Sequence, residues 1–590
     1  MKEYVEEMRT EIQDRYFLVL LLVLAAATFV RFKYAFFDGM WVDEGRYARI
    51  GTEISRHLLD YSVLESWRGQ ITAYPPLYPY LIAISNLVLG QSEFAVRVVS
   101  PLMGVLAVGI TYFTGKEMAN KEVGLAAAAL MALNPIAWFL SERILVGITF
   151  AAVYSAAVFC LYYGLEDREY SKYAIWAIGP LVALNILTKQ PAYTLGVLIP
   201  LYFVYKKRNE FREVLMDDVE FAKTKLYETI TDVNYYISGG LGIAVLAPWM
   251  LRNQAVCGVP LCGLARAMEF ASKSTNPATS SVQGTFYYLF AMGTIVTLPV
   301  ALLLLARVGY YLLKQVDVDP DGLVKRGAAV LFLTGAAYLA IPRLVPMALL
   351  SSIAFLARTD SEKLLWLWIG IGIGFMSIPT VKVPRYIVFV IPALTIVAGI
   401  TLYEFSRWAS DALDSSMVTK GRVLVAVMIP LLAFSFLQGS QMVSRGGFAQ
   451  AEPAGEWLAQ NTPEDAAFAA SSPAILRYYI YPRMAYRFPE NRSEFREFVE
   501  EKDINYIEVD VYERTQPDWV QTSIPPYRLP NTVRIKVQRG QMSAQQAAKM
   551  FSNPPDYLVP VKTVGKTRMP LNRQTQPVAM IYRINRSAMR

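Results

Sequence analysis

Two adjacent acidic residues, Asp43 and Glu44, stand in the segment WVDEGRYARI (41–50), shortly after the first long apolar run of the chain. A carboxylate in such a place can act as a general base toward a hydroxyl group, which is a poor nucleophile at neutral pH. An acidic pair at the start of a helix is also typical of a cap that interacts with the helix dipole. The pair is therefore a candidate for proton transfer, and a structural cap is the alternative.

Basic residues stand at the predicted ends of several apolar stretches further along the chain. They are Arg143, Lys189, Arg252, Lys382 and Arg385. Basic side chains often extend toward water at the end of a membrane helix, which is the structural explanation for such positions. Several cations on one face of a membrane also suit an anionic group such as a lipid phosphate. These residues are therefore candidates for phosphate binding.

The composition indicates that membrane helices must hold these residues. The 590-residue chain is 54% apolar and has a mean hydropathy of +0.30, which excludes an ordinary soluble domain. Three cysteines and one histidine argue against a disulfide scaffold and a Cys/His zinc cluster. Cys257 and Cys262 share one predicted outer loop, and their pairing stays open. The net charge of +8 does not imply nucleic acid, because membrane proteins gather Lys and Arg in cytoplasmic loops.

Apolar stretches long enough for a bilayer core of about 30 Å predict thirteen spans. They lie near 16–32, 95–115, 123–140, 146–164, 172–188, 190–205, 236–251, 284–314, 327–341, 344–357, 363–379, 384–404 and 422–438. The connections 115–122, 166–173, 205–213 and 314–326 carry most of the loop Lys and Arg, which places them and the N-terminus in the cytoplasm. The alternate loops then face outward, and they hold the acidic pair and the basic candidates.

The first outer loop, 33–94, is predicted to be a structured platform at the membrane surface. Its stretch 75–90, PPLYPYLIAISNLVLG, is too short to span comfortably and begins with two prolines, so it predicts a surface or re-entrant helix. Beyond the acidic pair, two sets of residues recur at helical spacing on different faces: the apolar Tyr47, Ile50, Ile54 and Leu58, and the charged Arg46, Arg49, Glu53 and Arg56. This pattern is typical of a helix that lies in the membrane interface.

After the last span the chain becomes polar, from about 447 onward. AGEWLAQ (454–460) has a helical pattern, and INYIEVDVY (504–512) has the pattern of a strand. The predicted fold class is therefore mainly α: a transmembrane helical bundle over 1–440, followed by a soluble α/β domain over 447–590. Because the number of predicted spans is odd, this domain is expected outside the cytoplasm.

Six segments, taken in order, resemble landmarks of a known family. They are WVDEGRYARIGTEI, YPPLYPYL, SEFAVRVVSPLMGVL, LTKQPAY, PWMLRNQAVCGVPL and KVPRYIVFVIPAL. Over about 15–410 the chain resembles the GT-C membrane glycosyltransferases, in particular the branch of the protein O-mannosyltransferases and the aminoarabinose transferase of lipid A. It departs from their pattern at Tyr74, where members often have a basic residue or His, and at Gly147, where many have an acid.

The resemblance implies a multi-pass enzyme of the plasma membrane with an extracytoplasmic C-terminal domain. Such an enzyme transfers a sugar, a mannose-like hexose or a pentose, from a polyprenyl- or dolichyl-phosphate donor to a hydroxyl of a glycan, lipid or protein on the outer face, with inversion. Asp43 is the implied general base, and Glu44 orients it or the acceptor. Membrane lipids are the other expected partners, and nucleic acid is not one.

The resemblance also implies a binding site for the donor phosphate and the substrate. The residues implied for it are Lys189, Arg252, Lys382, Arg385, Tyr74 and Arg143. No cofactor is required and no metal-ligating residue is assigned. The departure at Gly147 weakens the case for a metal that bridges two acidic motifs, and a divalent cation near the acidic pair stays an option.

Three other functions compete with this interpretation. An oligosaccharyltransferase-like enzyme is the alternative within the same class, although the C-terminal domain has no WWD-type motif. A transporter or flippase should show internal repeats and ionisable residues near the bilayer midplane, whereas here these residues gather at one predicted face. A surface receptor would use the outer platform for structure alone.

Overall fold

The computed structural model describes most of the chain. The described residues are 15–36, 39–57, 75–166, 168–208, 227, 231–260, 282–318, 320–340, 342–379, 381–413, 419–443, 451–511, 516–568 and 575–589. They divide into two compact units. Unit 1 comprises Met1–Phe36 and Ile54–Ser444, and unit 2 comprises Phe37–Glu53 and Arg445–Arg590. The segment Phe37–Glu53, predicted as part of the membrane domain, thus packs with the C-terminal residues.

The described part of unit 1 consists of helices and connecting segments. With α2, which belongs to unit 2 as far as Glu53, the helices up to residue 443 are α1 (Arg15–Ala35), α2 (Val42–Arg56), α3 (Leu77–Leu89), α4 (Glu93–Arg97), α5 (Val99–Met118), α6 (Lys121–Ala132), α7 (Pro135–Ser141), α8 (Gly147–Gly164), α9 (Ser171–Ile186), α10 (Leu195–Lys206), α11 (Val233–Cys257), α12 (Val282–Thr285), α13 (Tyr287–Phe290), α14 (Met292–Ile295), α15 (Leu298–Val318), α16 (Pro320–Ala340), α17 (Val345–Ser352), α18 (Asp360–Ser377), α19 (Ile391–Leu413) and α20 (Lys420–Val443). Short 3₁₀ helices cover Gln190–Thr194, Pro342–Leu344, Ile353–Phe355 and Pro384–Val390.

Several of these helices are membrane spans by length and composition. Among the described residues, five segments are long and apolar enough: Arg15–Lys33, Glu93–Met118, Gly147–Gly164, Pro384–Leu413 and Lys420–Val443. A sixth is added if α6 and α7, which are bent by 60° at their junction, count as one broken span. The chain is therefore of the multi-pass membrane type, and thirteen spans stay a prediction. The predicted short helix near 75–90 is confirmed as α3, whose 13 residues are too few to span the bilayer.

A buried arginine closes the break between α6 and α7. The Arg31 side chain is fully buried; its guanidinium donates to the carbonyl oxygens of Ala132 (2.8 Å) and Met131 (3.3 Å) and to the Ser141 hydroxyl (3.1 Å). The last carbonyls of a helix lack intrahelical partners, so a cation there satisfies them. Gly104 leaves room for this contact, because a Cβ at that position would stand 2.7 Å from the Arg31 Nε. One side chain of α1 thus stabilises the bent pair.

Ion pairs join helix ends that were predicted to face the cytoplasm. Lys206 contacts Glu166 at 2.9 Å and Asp360 at 3.2 Å, and Lys420 contacts Glu122 at 3.1 Å. Partly exposed pairs of this kind contribute about 0.2–1 kcal/mol each. Apolar packing of the helices therefore accounts for most of the stability of unit 1.

The C-terminal residues of unit 2 form a mixed sheet with helices. The strands are β1 (Ala467–Ala470), β2 (Ala485–Arg487), β3 (Ile504–Asp510), β4 (Leu558–Val564), β5 (Thr567–Arg568), β6 (Thr575–Gln576) and β7 (Ala579–Ile584). The helices are α21 (Ala451–Asn461), α22 (Pro473–Tyr479), α23 (Phe495–Glu501), α24 (Asp518–Ser523), α25 (Asn531–Gln538), α26 (Ala544–Ala548) and α27 (Arg586–Met589), with a 3₁₀ turn at Arg492–Glu494. The predicted helix at 454–460 lies within α21 and the predicted strand at 504–512 is β3, so both are confirmed.

The five-stranded sheet has the order β2-β1-β3-β7-β4, and β5 pairs with β6 separately. Strand β1 runs parallel to β2 and β3, while β7 is antiparallel to β3 and β4. Alternate residues of the strands enter different cores: Phe468 and Ile581 lie in one, and Ala469 and Tyr582 in the other. Since side chains alternate along a strand, the sheet buries apolar residues on both faces.

Candidate active site

Asp43 occupies the first turn of α2 with an accessible carboxylate. Its side chain is 42% exposed, and it pairs with Arg46, whose Nη1 lies 3.5 Å from the carboxylate. The helix begins at Val42, so Asp43 stands where a negative charge interacts favourably with the helix dipole. A carboxylate that is exposed yet held at a helix start can exchange a proton with a bound hydroxyl and with water.

Glu44 is the buried member of the acidic pair. Its side chain is inaccessible to solvent, and its carboxylate accepts a hydrogen bond of 2.6 Å from the backbone N–H of Trp41. This contact ties the carboxylate to the residues that enter α2. The capping explanation of the pair therefore applies to Glu44, while the carboxylate of Asp43 is accessible to solvent.

The apolar face of α2 is covered by protein. Tyr47, Ile50 and Ile54 are each at most 6% exposed. The helical spacing of these residues was predicted correctly, but their burial differs from the expectation of a helix lying in the membrane interface. The same amphipathic pattern serves a lipid surface or a protein surface.

Two candidate cations of unit 1 meet at one aromatic ring. The Lys189 Nζ lies 5.1 Å from the centre of the Tyr386 ring, and the Arg385 guanidinium lies 5.9 Å from the same centre. Lys189 directly precedes the 3₁₀ helix Gln190–Thr194, and Arg385 lies in the 3₁₀ helix that begins at Pro384. Residues almost 200 positions apart in the sequence are thereby brought to one place, where their charges add.

Lys382 lies just before the 3₁₀ helix that contains Arg385, and its pKa is lowered. It is 8% exposed, and its Nζ donates to the Pro379 carbonyl at 2.8 Å. Burial, together with the nearby positive charge of Arg343, lowers the pKa of Lys382 to about 8. Arg343 itself donates to the Ile378 carbonyl at 3.0 Å. The connection after α18 therefore carries the Lys382 cation and is contacted by a second cation, Arg343.

Arg343 and Tyr386 are residues that the sequence reasoning missed. Arg343 stands in IPRLVP, between two predicted spans, on the face to which the other basic candidates were assigned. The same departure from the positive-inside tendency that singled out Lys382 was a usable signal for it. No comparable signal marked Tyr386, because tyrosines are numerous throughout the chain.

Arg252 and Arg143 are both buried beside aromatic rings. Arg252 is 7% exposed; its guanidinium lies 4.8 Å from the Trp249 ring centre and donates to the Asn253 side chain at 3.2 Å. Arg143 is 2% exposed, and its guanidinium lies 5.6 Å from the Phe139 ring centre. These contacts orient each guanidinium within its own segment.

Some predicted site residues cannot be placed. Tyr74 and Cys262 lie outside the described residues, so the pairing of Cys262 with Cys257 stays open. Gly147 is described, and it begins α8. Within the described part of the chain, no group of three or more His, Cys, Asp or Glu side chains is arranged to hold a metal ion.

Comparisons with known proteins agree with this architecture. The family model of dolichyl-phosphate-mannose-protein mannosyltransferases matches residues 73–216. The archaeal oligosaccharyltransferase AglB from Archaeoglobus fulgidus, in complex with an inhibitory peptide and a dolichol-phosphate, aligns with a TM-score of 0.52 at 12% identity, over 84% of this chain and 69% of that chain. The chain resembles the GT-C membrane glycosyltransferases. The predicted resemblance is thereby confirmed.

Two further solved structures are similar to this chain. The A. fulgidus oligosaccharyltransferase in complex with Zn and sulfate aligns with a TM-score of 0.52 at 14% identity, over 85% of this chain and 68% of that chain. ArnT from Cupriavidus metallidurans, bound to undecaprenyl phosphate, aligns with a TM-score of 0.48 at 16% identity, over 95% of this chain and 97% of that chain. The two archaeal structures show that this chain is similar to them in fold. Comparison with curated protein sequences gives no significant match.

The match to the mannosyltransferase family model covers only part of the candidate site. Residues 73–216 include Arg143 and Lys189. They include neither Asp43 nor the connection that carries Lys382. The roles of the individual residues therefore depend on their geometry and chemistry.

Proposed function

We propose that this protein is an integral membrane glycosyltransferase that uses a lipid-phosphate sugar. It transfers a sugar, a mannose-like hexose or a pentose, from a polyprenyl- or dolichyl-phosphate donor to a hydroxyl of a glycan, lipid or protein, with inversion. The observation that carries the proposal is the accessible carboxylate of Asp43 at the start of a buried helix, in a chain that resembles GT-C enzymes. The dolichol-phosphate bound by AglB supports this class of donor.

Asp43 acts as the general base in this proposal. Its carboxylate takes the proton of the acceptor hydroxyl while that oxygen forms a bond to the anomeric carbon of the donor sugar. The bond between the anomeric carbon and the lipid phosphate breaks, and the phosphate leaves with the electron pair. Asp43 then returns the proton to water, which its 42% exposure allows.

Basic residues of unit 1 bind the lipid phosphate in this proposal. Lys189 and Arg385 share the Tyr386 ring, and Lys382 lies within the influence of Arg343. Cations close together favour an anion, and guanidinium groups grip phosphate oxygens in a bidentate manner. Arg252 is the arginine assigned to hold the donor phosphate. A phosphate that is neutralised in this way is the better leaving group.

The proposed reaction needs no metal ion. The Glu44 carboxylate is buried and accepts a hydrogen bond from the Trp41 N–H, so the acidic pair offers a divalent cation mainly the exposed side chain of Asp43. A hard cation prefers several oxygen ligands. The residues present therefore fit such an ion poorly, and a chelator should leave activity largely intact.

The proposed location is the plasma membrane, with thirteen spans, a cytoplasmic N-terminus and unit 2 on the outer face. The concentration of loop Lys and Arg in the opposite connections supports this orientation. An oligosaccharyltransferase-like enzyme is the second candidate, because the archaeal enzymes share the fold. It would act on an amide nitrogen instead of a hydroxyl.

The decisive experiment incubates purified full-length protein with labelled polyprenyl phosphosugars and follows acceptor-dependent loss of the sugar. A panel of nucleotide sugars is the control for the donor class. Asp43→Asn keeps the shape of the side chain and removes its basicity, so turnover should fall by about 10²-fold or more. Donor-lipid binding and protein abundance should stay near wild type.

The matched control is Asp518→Asn, which removes another exposed acid from the first turn of a helix in unit 2. Its turnover should equal that of the wild type. Glu44→Gln should cost less than Asp43→Asn, because an amide oxygen still accepts the hydrogen bond from Trp41. Normal sugar transfer by purified Asp43→Asn protein would show that the acidic pair only caps the helix.

A further inference from the structure

Helix α2 is built into the C-terminal unit, although some 400 residues separate the two in the sequence. Phe37–Glu53 forms one compact unit with Arg445–Arg590. The partner segment within that unit is α22 and the residues that follow it to Met484. Gly45 and Arg49 are two residues of α2 that contact this segment.

At Gly45 the backbones of the two segments approach each other closely. A Cβ at this position would stand 2.6 Å from the Ile475 Cα and 2.8 Å from the Ala474 carbonyl oxygen. Both neighbours are backbone atoms, so neither can turn away as a flexible side chain would. The position therefore tolerates only glycine without a shift of one segment relative to the other.

Arg49 makes a second contact one turn further along α2. It is 5% exposed, its guanidinium lies 5.6 Å from the Tyr481 ring centre, and its Nη2 lies 3.7 Å from the Met484 sulfur. Glu53, on the next turn of the same helix, contacts it at 3.9 Å. A planar guanidinium held between a ring, a sulfur and a carboxylate has little rotational freedom.

The segment from α22 to Met484, which receives these contacts, is itself anchored in the sheet core. Leu476 and Ile480 are fully or almost fully buried in the same apolar cluster as strand residues of the sheet. Arg477 donates from its Nε to the Ala485 carbonyl at 2.6 Å and so ties α22 to β2. Burial and the nearby charges of Arg49 and Arg46 lower the pKa of Arg477, which is consistent with the close approach of α2.

Helical geometry relates this contact to the orientation of Asp43. Residues 45 and 49 are four apart and lie on one face of the helix, whereas residue 43 is rotated by about 200° from residue 45. Because Gly45 and Arg49 pack against the segment from α22 to Met484, Asp43 lies on the opposite side of α2. The 42% exposure of the Asp43 side chain agrees with that direction.

We propose that the C-terminal unit positions the general base. The segment from α22 to Met484 fixes the axial position and the rotation of α2, and Gly45 and Arg49 are positioning residues that act through Asp43. The proposal rests on the proposed function of Asp43. It makes the C-terminal unit a working part of the catalytic apparatus, in addition to any role in acceptor binding.

The test compares Gly45→Ala with Gly196→Ala in the full-length protein. Gly196 also lies in a helix, but a Cβ there would meet nothing within 4 Å, and alanine favours a helix over glycine. For Gly45→Ala we expect kcat to fall by about 10- to 100-fold, as for a base displaced by about 1 Å, with the KM for the donor unchanged. Gly196→Ala should match the wild type in both constants.

Substitutions of Arg49 and a measurement of hydrogen exchange distinguish a loss of positioning from misfolding of the protein. Arg49→Met keeps an unbranched apolar stem and removes the guanidinium, and Arg49→Lys keeps the charge without the planar group. We expect kcat to decrease in the order wild type, Arg49→Lys, Arg49→Met, again with an unchanged KM for the donor. Amide hydrogen exchange over 42–53 should become faster in Gly45→Ala and Arg49→Met, while exchange in β1 and β3 stays slow.

Two results would overturn the positioning role. One is a folded Gly45→Ala protein with wild-type kcat, and the other is a fall in kcat without faster exchange over 42–53. Failure of the proposed function is distinguishable, because it shows as the absence of sugar transfer by the wild-type protein. If the wild-type protein transfers no sugar, the exchange measurement still reports the contact between α2 and the segment from α22 to Met484.

Discussion

We expect donor use by the wild-type enzyme to fall between pH 7 and pH 9 through loss of the positive charge of Lys382. Burial lowers the pKa of this side chain to about 8, with a further contribution from the nearby charge of Arg343. A lysine is protonated below its pKa, so its positive charge is present at pH 7 and is lost as the pH rises. If Lys382 binds the donor phosphate, only the protonated form binds well.

The magnitude follows from the pKa. With a pKa of about 8, the protonated fraction is about 0.9 at pH 7 and about 0.1 at pH 9. The pH dependence of kcat/KM reports the free enzyme, so kcat/KM for the donor should fall by about tenfold across this interval. A hydrogen bond to a charged group is worth about 1.5–3 kcal/mol, or about 10- to 100-fold in affinity, which is enough to make the fall visible.

The assay is kcat/KM at limiting donor, measured in half-unit steps of pH. Lys382→Arg carries a guanidinium that stays charged, so its profile should be flat over this interval. Arg343→Gln removes the neighbouring positive charge, so the pKa of Lys382 should rise and the fall should move to higher pH. An identical fall in Lys382→Arg would assign the titration to another group, and a flat wild-type profile would remove Lys382 from the phosphate site.

Two further predictions concern the phosphate site and the topology. Arg252→Ala should raise the donor KM more than Lys382→Ala does at pH 7, because a guanidinium grips phosphate in a bidentate way; equally small effects would mean that both side chains only extend toward water. A cysteine introduced at the exposed Glu456 should react with an impermeant thiol reagent in intact cells, whereas one introduced at Lys207 should not. Labelling at both positions would contradict the assignment of the outer face.

Local periodicity was enough to predict several elements. Strand β3 was predicted from the strand-like run INYIEVDVY, and α21 from the helical pattern of AGEWLAQ, because both signals are local in the sequence. The apolar face of α2 could be recognised from its spacing in the same way. The residues that pack against α2 could not be predicted, because a pattern on one helix does not specify its neighbours. Arg49 of this helix contacts Met484, which is 435 positions away in the sequence.

The candidate site divides in the same way. Asp43 was recognisable from its residue type and its place at a helix start, whereas the separate fates of Asp43 and Glu44 depend on which side of the helix is buried. The approach of Lys189 and Arg385 to one tyrosine ring depends on how distant helices pack. Single-sequence reasoning has no access to such packing, because long-range contacts leave no local period.

The buried guanidinium of Arg31 has a consequence for the biogenesis of the protein. Its acceptors at Met131, Ala132 and Ser141 follow it by 100, 101 and 110 positions, so α1 leaves the ribosome long before they exist. Arg31 stands near the end of the candidate span Arg15–Lys33, where the side chain of an unpartnered arginine can extend to the headgroup region. We therefore expect the Arg31 guanidinium of the nascent α1 to stay in the headgroup region, and to reach its buried position only when the bent pair α6–α7 has been inserted. Helix α1 is then among the later helices to reach its native packing.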